Sequence, residues 1–143
     1  MSDPFDLARF ISAQEPTYAT ALAELRRGRK ETHWMWFIFP QVDGLGSSTI
    51  ARKYAIKSLD EARAYLGHSA LGPRLLECCR AILSVQGKSA SEIMGFPDDL
   101  KLRSSMTLFS LAAGPQEEFS KVIEKYFEGL PDPQTLRLLH VRA

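Results

Sequence analysis

Gln116-Glu117-Glu118-Phe119-Ser120-Lys121-Val122-Ile123-Glu124-Lys125-Tyr126-Phe127-Glu128 is the stretch whose reading decides the fold class. Phe119, Val122, Ile123, Tyr126 and Phe127 recur at i, i+3, i+4, i+7 and i+8, which gathers them on one side of a helix and leaves the charged residues on the other. Working outward, the same period returns in Leu75, Leu76, Cys79, Ile82 and Leu83, between Gly72-Pro73 and Gly87. It returns again in Tyr18, Leu22 and Leu25, with Pro16 before them and Gly28 placed as a left-handed C-cap. Ser58-Leu59-Asp60-Glu61 and Ser89-Ala90-Ser91-Glu92 are capping-box patterns that start two further helices. Asp3-Pro4 opens a first helix to about Gln14 with Asp3 as its N-cap, Ser47 or Ser48 caps a short one, and Asp132-Pro133 starts the last. No stretch alternates apolar and polar residues between hairpin signals. The expectation is an all-α, mainly helical fold: a compact single-domain bundle over residues 1–143, built from about seven to eight short helices.

Composition narrows the function classes. The 143 residues are 45% hydrophobic and 24% charged, a globular balance that argues against disorder. A formal net charge of +1 is far from the basic excess of a dedicated nucleic-acid binder. The longest apolar run, Trp34 to Phe39, is too short to span a membrane, and Asp3 and Asp6 break any signal-peptide shape. Cys78 and Cys79 are adjacent, so on a helix they diverge and form neither an ordinary disulfide nor a zinc pair. They read as reduced thiols, and the expected location is the cytoplasm.

His33-Trp34-Met35-Trp36-Phe37-Ile38-Phe39-Pro40-Gln41, running into Gly44-Leu45-Gly46-Ser47-Ser48, carries the densest candidate chemistry, including both tryptophans of the chain. Six bulky residues in a row suit a buried short helix, although aromatic residues also favour extended backbone and Pro40 disfavours a helical Phe39. Met35, Phe37 and Ile38 are core formers. Trp34 and Trp36 offer flat faces for a ring ligand, and their indole N–H groups need partners when buried. His33 is the candidate for proton transfer, with Asp98 or Asp99 as carboxylate partner, and Gln41 offers a donor and an acceptor. Gly44, Gly46 and Ser47 form a loop running into a helix N-terminus, where backbone N–H groups attract anions, and Arg52 and Lys53, one turn further on, would complete an anion site. The loop lacks the Gly-Lys-Ser/Thr ending of a P-loop, and a plain serine-capped turn also accounts for it. Arg26, Arg27, Arg29 and Lys30 place positive charge near His33, either as an electropositive rim or as cations suited to a helix C-terminus.

The second informative segment is Asp98-Asp99-Leu100-Lys101-Leu102-Arg103-Ser104-Ser105-Met106-Thr107-Leu108-Phe109. At about 100° per residue, Arg103, Thr107 and Ser110 form a narrow polar face, and Lys101, Ser104 and Ser105 fall inside the apolar arc. Such groups are paired internally or line a cavity, because burying them unpaired costs about 1–3 kcal/mol each.

These two segments, with Ser58-Leu59-Asp60-Glu61-Ala62 and Leu71-Gly72-Pro73-Arg74-Leu75, resemble an uncharacterised bacterial domain-of-unknown-function family, number eighteen-ten, some of whose members carry the label calpastatin. The resemblance spans nearly the whole chain and implies a small, mainly α-helical single domain; it carries no activity, cofactor or catalytic residue. A calpain-inhibitor segment is expected to be disordered, which this composition is not.

The functional expectation is a pocket for a small anionic, nucleotide-like ligand. Trp34 and Trp36 would form its wall, Gln41, Gly44, Gly46, Ser47 and Arg52 would hold polar and anionic groups, and Lys101, Arg103, Ser104 and Ser105 would approach from the facing helix. A hydrolase acting on a nucleotide or ADP-ribose-like substrate through His33 extends that reading, and a non-catalytic helical interaction module competes with it. No motif calls for a metal or cofactor, and the oligomeric state is open.

Overall fold

The structure, a computed structural model, describes residues 3–114 and 117–141. Within them lie α1 (Ala8–Gln14), α2 (Tyr18–Arg27), α3 (Met35–Ile38), α4 (Thr49–Lys53), α5 (Leu59–Gly67), α6 (Leu71–Leu83), α7 (Ala90–Met94), α8 (Asp98–Ala113), α9 (Glu117–Phe127) and α10 (Pro133–Leu138). No strand forms among the described residues, where extended pairing is confined to an isolated parallel bridge between Val42 and Ile56. The described residues form ten helices where about seven to eight were expected, and α3, α4, α7 and α10 are only 4, 5, 5 and 6 residues long.

The helix starts follow their caps. Ser89 and Glu92 complete a reciprocal capping box, and Asp132 accepts from Thr135 N at the head of α10. Ser58 accepts from Glu61 N as expected, but the Glu61 carboxylate turns back one residue further, to Lys57 N at 3.1 Å, because Arg9 holds its other oxygen. The first helix begins at Ala8, later than the Asp3-Pro4 signal implied; Asp3 still satisfies the entering backbone by accepting from Leu7 N at 2.8 Å and Ala8 N at 3.0 Å. Gln116, the expected start of the opening amphipathic stretch, lies outside the described residues. From Glu117 onward that stretch is α9, with Phe119, Val122 and Ile123 buried.

α8 is the hub. It packs against α5, α7, α9 and α10, while α6 closes over α2, α5 and α9, and α1 packs on α3. The Phe109 ring lies between Tyr65 of α5, at 5.3 Å between centroids, and Phe119 of α9, at 5.8 Å. Leu102, Met106, Leu108 and Phe109 are all fully buried, so α8 meets neighbours around its whole circumference and its sequence shows no broad polar face. Each such side chain contributes about 1.5–3 kcal/mol of burial. Polar groups tie the layers where helices meet end-on. Buried Gln14 donates to Phe37 O at 2.7 Å and to the Tyr65 hydroxyl at 3.0 Å, joining α1, α3 and α5.

Candidate functional site

The aromatic stretch folds as the single turn α3, and its two tryptophans part company. Trp34 is fully buried, so its face is closed to any ligand; its indole N–H donates to Glu24 Oε1 at 2.9 Å. Glu24, itself 2% exposed, also receives Glu31 N, Thr32 N and the Thr32 hydroxyl, at 2.7, 3.0 and 2.7 Å. Burial opposes ionisation of this carboxylate, but the bonds from Thr32, Glu31 and Trp34 outweigh it and hold the pKa down to about 2. The hub anchors the entry to α3.

Trp36 is half-buried, and here the two informative segments meet. Lys101 Nζ stands 5.1 Å from the Trp36 ring centroid and 3.5 Å from Asp98 Oδ1. Asp98 Oδ2 accepts Lys30 Nζ at 2.9 Å, and that ammonium also lies 4.9 Å from the Trp34 ring. The result is an alternating row, Lys30, Asp98 and Lys101, laid across both tryptophans, in which the two ammonium groups share one carboxylate. Asp98 is thereby occupied, and His33 stands exposed outside the row. Lys30 is the one member of the Arg26 to Lys30 cluster that turns inward; Arg26 pairs with Glu77 and Arg27 with Glu31 at the surface, and Arg29 is exposed.

The remaining α8 residues point elsewhere. Arg103 donates to Leu130 O at 2.8 Å and Pro131 O at 2.9 Å, and the Ser104 hydroxyl lies 3.1 Å from Asp132 Oδ2, so both fasten the approach to α10. Ser105 is fully buried, and its hydroxyl has no hydrogen-bond partner among the described residues. Gln41 and Gly46 do meet Trp36, but the space they enclose with Val42 and Tyr54 measures about 10 Å³, room for no more than a water. Gly44, at φ 104°, takes a conformation that favours glycine, and a Cβ there would lie 3.0 Å from a Leu138 methyl; it is a packing contact with α10. Ser47 is exposed, and Ser48 is the residue that caps α4.

Arg52 faces a different place, a cleft of about 510 Å³ between α1, α4 and α5. Its floor is the guanidinium of Arg9, which donates to the carbonyls of Lys53, Phe5, Asp6 and Ala55 at 2.6–2.9 Å and to Glu61 Oε2 at 2.7 Å. Arg9 and Glu61 cancel each other. Around them Arg52, Lys53 and Lys57 line the cleft without a carboxylate partner among the described residues, facing the single acid Asp6. Ser58, at the N-terminus of α5, completes the wall. A cleft of about 600 Å³ on the α6 side also carries arginines, but there Arg26, Arg74 and Arg80 pair with Glu77, Glu15 and Glu118. The sequence pattern points to Arg52 and Lys53 and gives no sign of Arg9 and Lys57. Arg9 and Glu61 are 52 positions apart, and no local spacing rule connects them.

Among the described residues no group of three or more His, Cys, Asp and Glu side chains could hold a metal, and no helix is long and apolar enough to cross a membrane. No functionally curated protein matches the chain. A crystal structure of the conserved hypothetical protein Rv1873 from Mycobacterium tuberculosis is similar throughout, with a TM-score of 0.95 and 55% identity over 98% of this chain and 100% of that one. The profile of a protein family of unknown function, DUF1810, matches residues 4–139, and the chain belongs to that family.

Proposed function

We propose that the protein is a binding domain for a small anionic ligand, received in the cleft between α1, α4 and α5. The observation that carries this reading is the set of three cations, Arg52, Lys53 and Lys57, which have no ion-pair partner among the described residues and outnumber Asp6, the one lining acid not taken by Arg9, around a ligand-sized cleft of about 510 Å³. Elsewhere on the molecule, cations lining a cleft of similar size are matched by acids. The α5 N-terminus beside Ser58 adds a favourable dipole for negative charge. The two buried thiols, Cys78 and Cys79, accord with a reducing compartment, and the cytoplasm is the location this reading adopts.

A thermal-shift titration with inorganic pyrophosphate tests it. At tenfold excess over Kd a ligand stabilises by about 1.4 kcal/mol, roughly 5 °C for a domain of this size. The wild type should show that shift, and Arg52→Gln/Lys53→Gln/Lys57→Gln should not. Equal shifts in both proteins defeat the proposal.

One observation favours an interaction module instead. Phe96, Leu100 and Leu130 are 78%, 50% and 56% exposed around the start of α8, where Arg103 holds the Leu130 segment. Exposed apolar groups of this size mark contact surfaces when they are contiguous. A solution mass above that of one chain, reduced to one chain by Phe96→Ser/Leu130→Ser, would support that reading, and a concentration-independent monomer would count against self-association.

A further inference from the structure

The basic cleft continues past Phe5. Beyond that ring lies a second cleft of about 470 Å³, walled by Phe5, Leu7, Ile11 and Ala64 with Asp3 and His68 at its rim, and Pro4 and Phe5 line both spaces. Along α5 the lining residues are Ser58 and Glu61 at the basic end and Ala64 and His68 at the other. Glu61 and Ala64, three apart, share one face of α5, and Ser58 and His68 are the residues that cap its two ends. The two clefts therefore lie side by side between α1 and α5, with Pro4 and Phe5 shared between them. From Glu61 to His68 the helix rises roughly 10 Å at about 1.5 Å per residue.

The far end is apolar but carries one donor and one acceptor. His68 Nδ1 accepts the backbone N–H groups of Ala70 at 3.0 Å and Leu71 at 3.3 Å, which fixes the tautomer with its proton on Nε2 and leaves that N–H as a donor. The Asp3 carboxylate binds Leu7 N and Ala8 N and retains acceptor capacity. An alkyl chain uses neither group. A heteroaromatic ring uses both, and its face matches Phe5.

Resting on the reading of the basic cleft as an anion site, we infer that the ligand is an aromatic phosphate monoester of the nucleoside monophosphate class. Its phosphate lies among Arg52, Lys53 and Lys57, and its ring lies against Phe5, Ile11 and Ala64 within reach of His68 and Asp3.

The test is a backbone-amide NMR titration of the full chain with inorganic phosphate, butyl phosphate, phenyl phosphate and adenosine monophosphate. Inorganic phosphate should shift amides from Arg52 to Ser58 alone. Phenyl phosphate and adenosine monophosphate should also shift Ala64 and His68 and bind at least tenfold more tightly, with butyl phosphate gaining less. Ser12→Trp, an exposed position that fills the apolar end, should return adenosine monophosphate to within threefold of inorganic phosphate while leaving inorganic phosphate unchanged. Ring compounds that bind no more tightly than inorganic phosphate, or a butyl ester that equals the phenyl ester, overturn the inference and leave the anion site standing. If none of the four binds, the anion site falls and the inference falls with it.

Discussion

Replacing Glu24 by alanine strips four donors of their acceptor at once: Glu31 N, Thr32 N, the Thr32 hydroxyl and the indole N–H of fully buried Trp34. The magnitude follows from the carboxylate itself. Its ordinary value of 4.5 falls to about 2, since the four bonds outweigh the burial that opposes ionisation. That difference of about two and a half pKa units corresponds to roughly 3 kcal/mol. Leaving the donors unpaired brings the expected loss for Glu24→Ala to about 3–5 kcal/mol, or a fall in Tm of roughly 10 °C or more. Glu24→Gln retains an oxygen for the two backbone amides and the indole and should lose only about 1–2 kcal/mol. Because the folded pKa is depressed, the contribution is full above the unfolded value of 4.5 and disappears as pH falls toward about 2. Urea unfolding followed by tryptophan fluorescence, repeated from pH 7 down to pH 3, measures both effects. Exposed Glu31→Ala is the control, expected within about 0.5 kcal/mol of wild type. If Glu24→Ala unfolds with the same free energy as that control, or if Glu24→Gln loses stability with acid as steeply as wild type, the hub does not anchor α3.

Three further substitutions or reagents probe the packing. Gly72→Ala places a Cβ 2.1 Å from Leu66 O, a backbone atom, so the α5–α6 junction must move; urea titration should show a loss of at least about 3 kcal/mol, and a near-neutral result would contradict the close approach. Ser105→Ala removes a fully buried hydroxyl that has no hydrogen-bond partner among the described residues, and should leave stability unchanged or raise it by up to about 1 kcal/mol, whereas a loss above that would reveal a bond to Ser105. Burial pushes the Cys78 thiol up to about 12 and Cys79 well above its ordinary value, so a disulfide reagent at pH 8 should label neither until the chain unfolds in denaturant; rapid labelling of the native protein would contradict their burial.

What was legible in the sequence is what short-range chemistry controls. The five apolar positions from Phe119 to Phe127 sit on α9, Gly28 ends α2 in the left-handed region, and Ser89 with Glu92 closes α7, because each depends on neighbours within a few residues. α3 formed as a short buried turn ending before Pro40 for the same reason. The meeting of Lys101 with the aromatic stretch was also legible, since a lysine in the apolar arc of a buried helix needs a partner, and Trp36 with Asp98 supplies one. The spread of the other candidates was not. Whether Arg52 joins Lys101 or faces away from it depends on the course of the chain from Gln41 to Ile56, set by the bridge in which Ile56 N donates to Gln41 O and Asp43 N donates to Ile56 O, both at 2.8 Å. Two backbone hydrogen bonds decide it, and they leave no pattern in side-chain identity. The basic cleft was hidden for a related reason: Arg9, Arg52 and Lys57 come from separate helices and loops, and each alone is an ordinary surface cation.

The central claim is that the unmatched cations of the α1–α4–α5 cleft receive an anion. The most direct measurement is a backbone-amide NMR titration of the wild-type chain with inorganic pyrophosphate at low and at physiological salt. Saturable shifts concentrated from Arg52 to Ser58, weakened by salt and abolished in Arg52→Gln/Lys53→Gln/Lys57→Gln, are expected. Shifts centred on Arg26, Arg74 and Arg80, or no saturable shift at all, would contradict it.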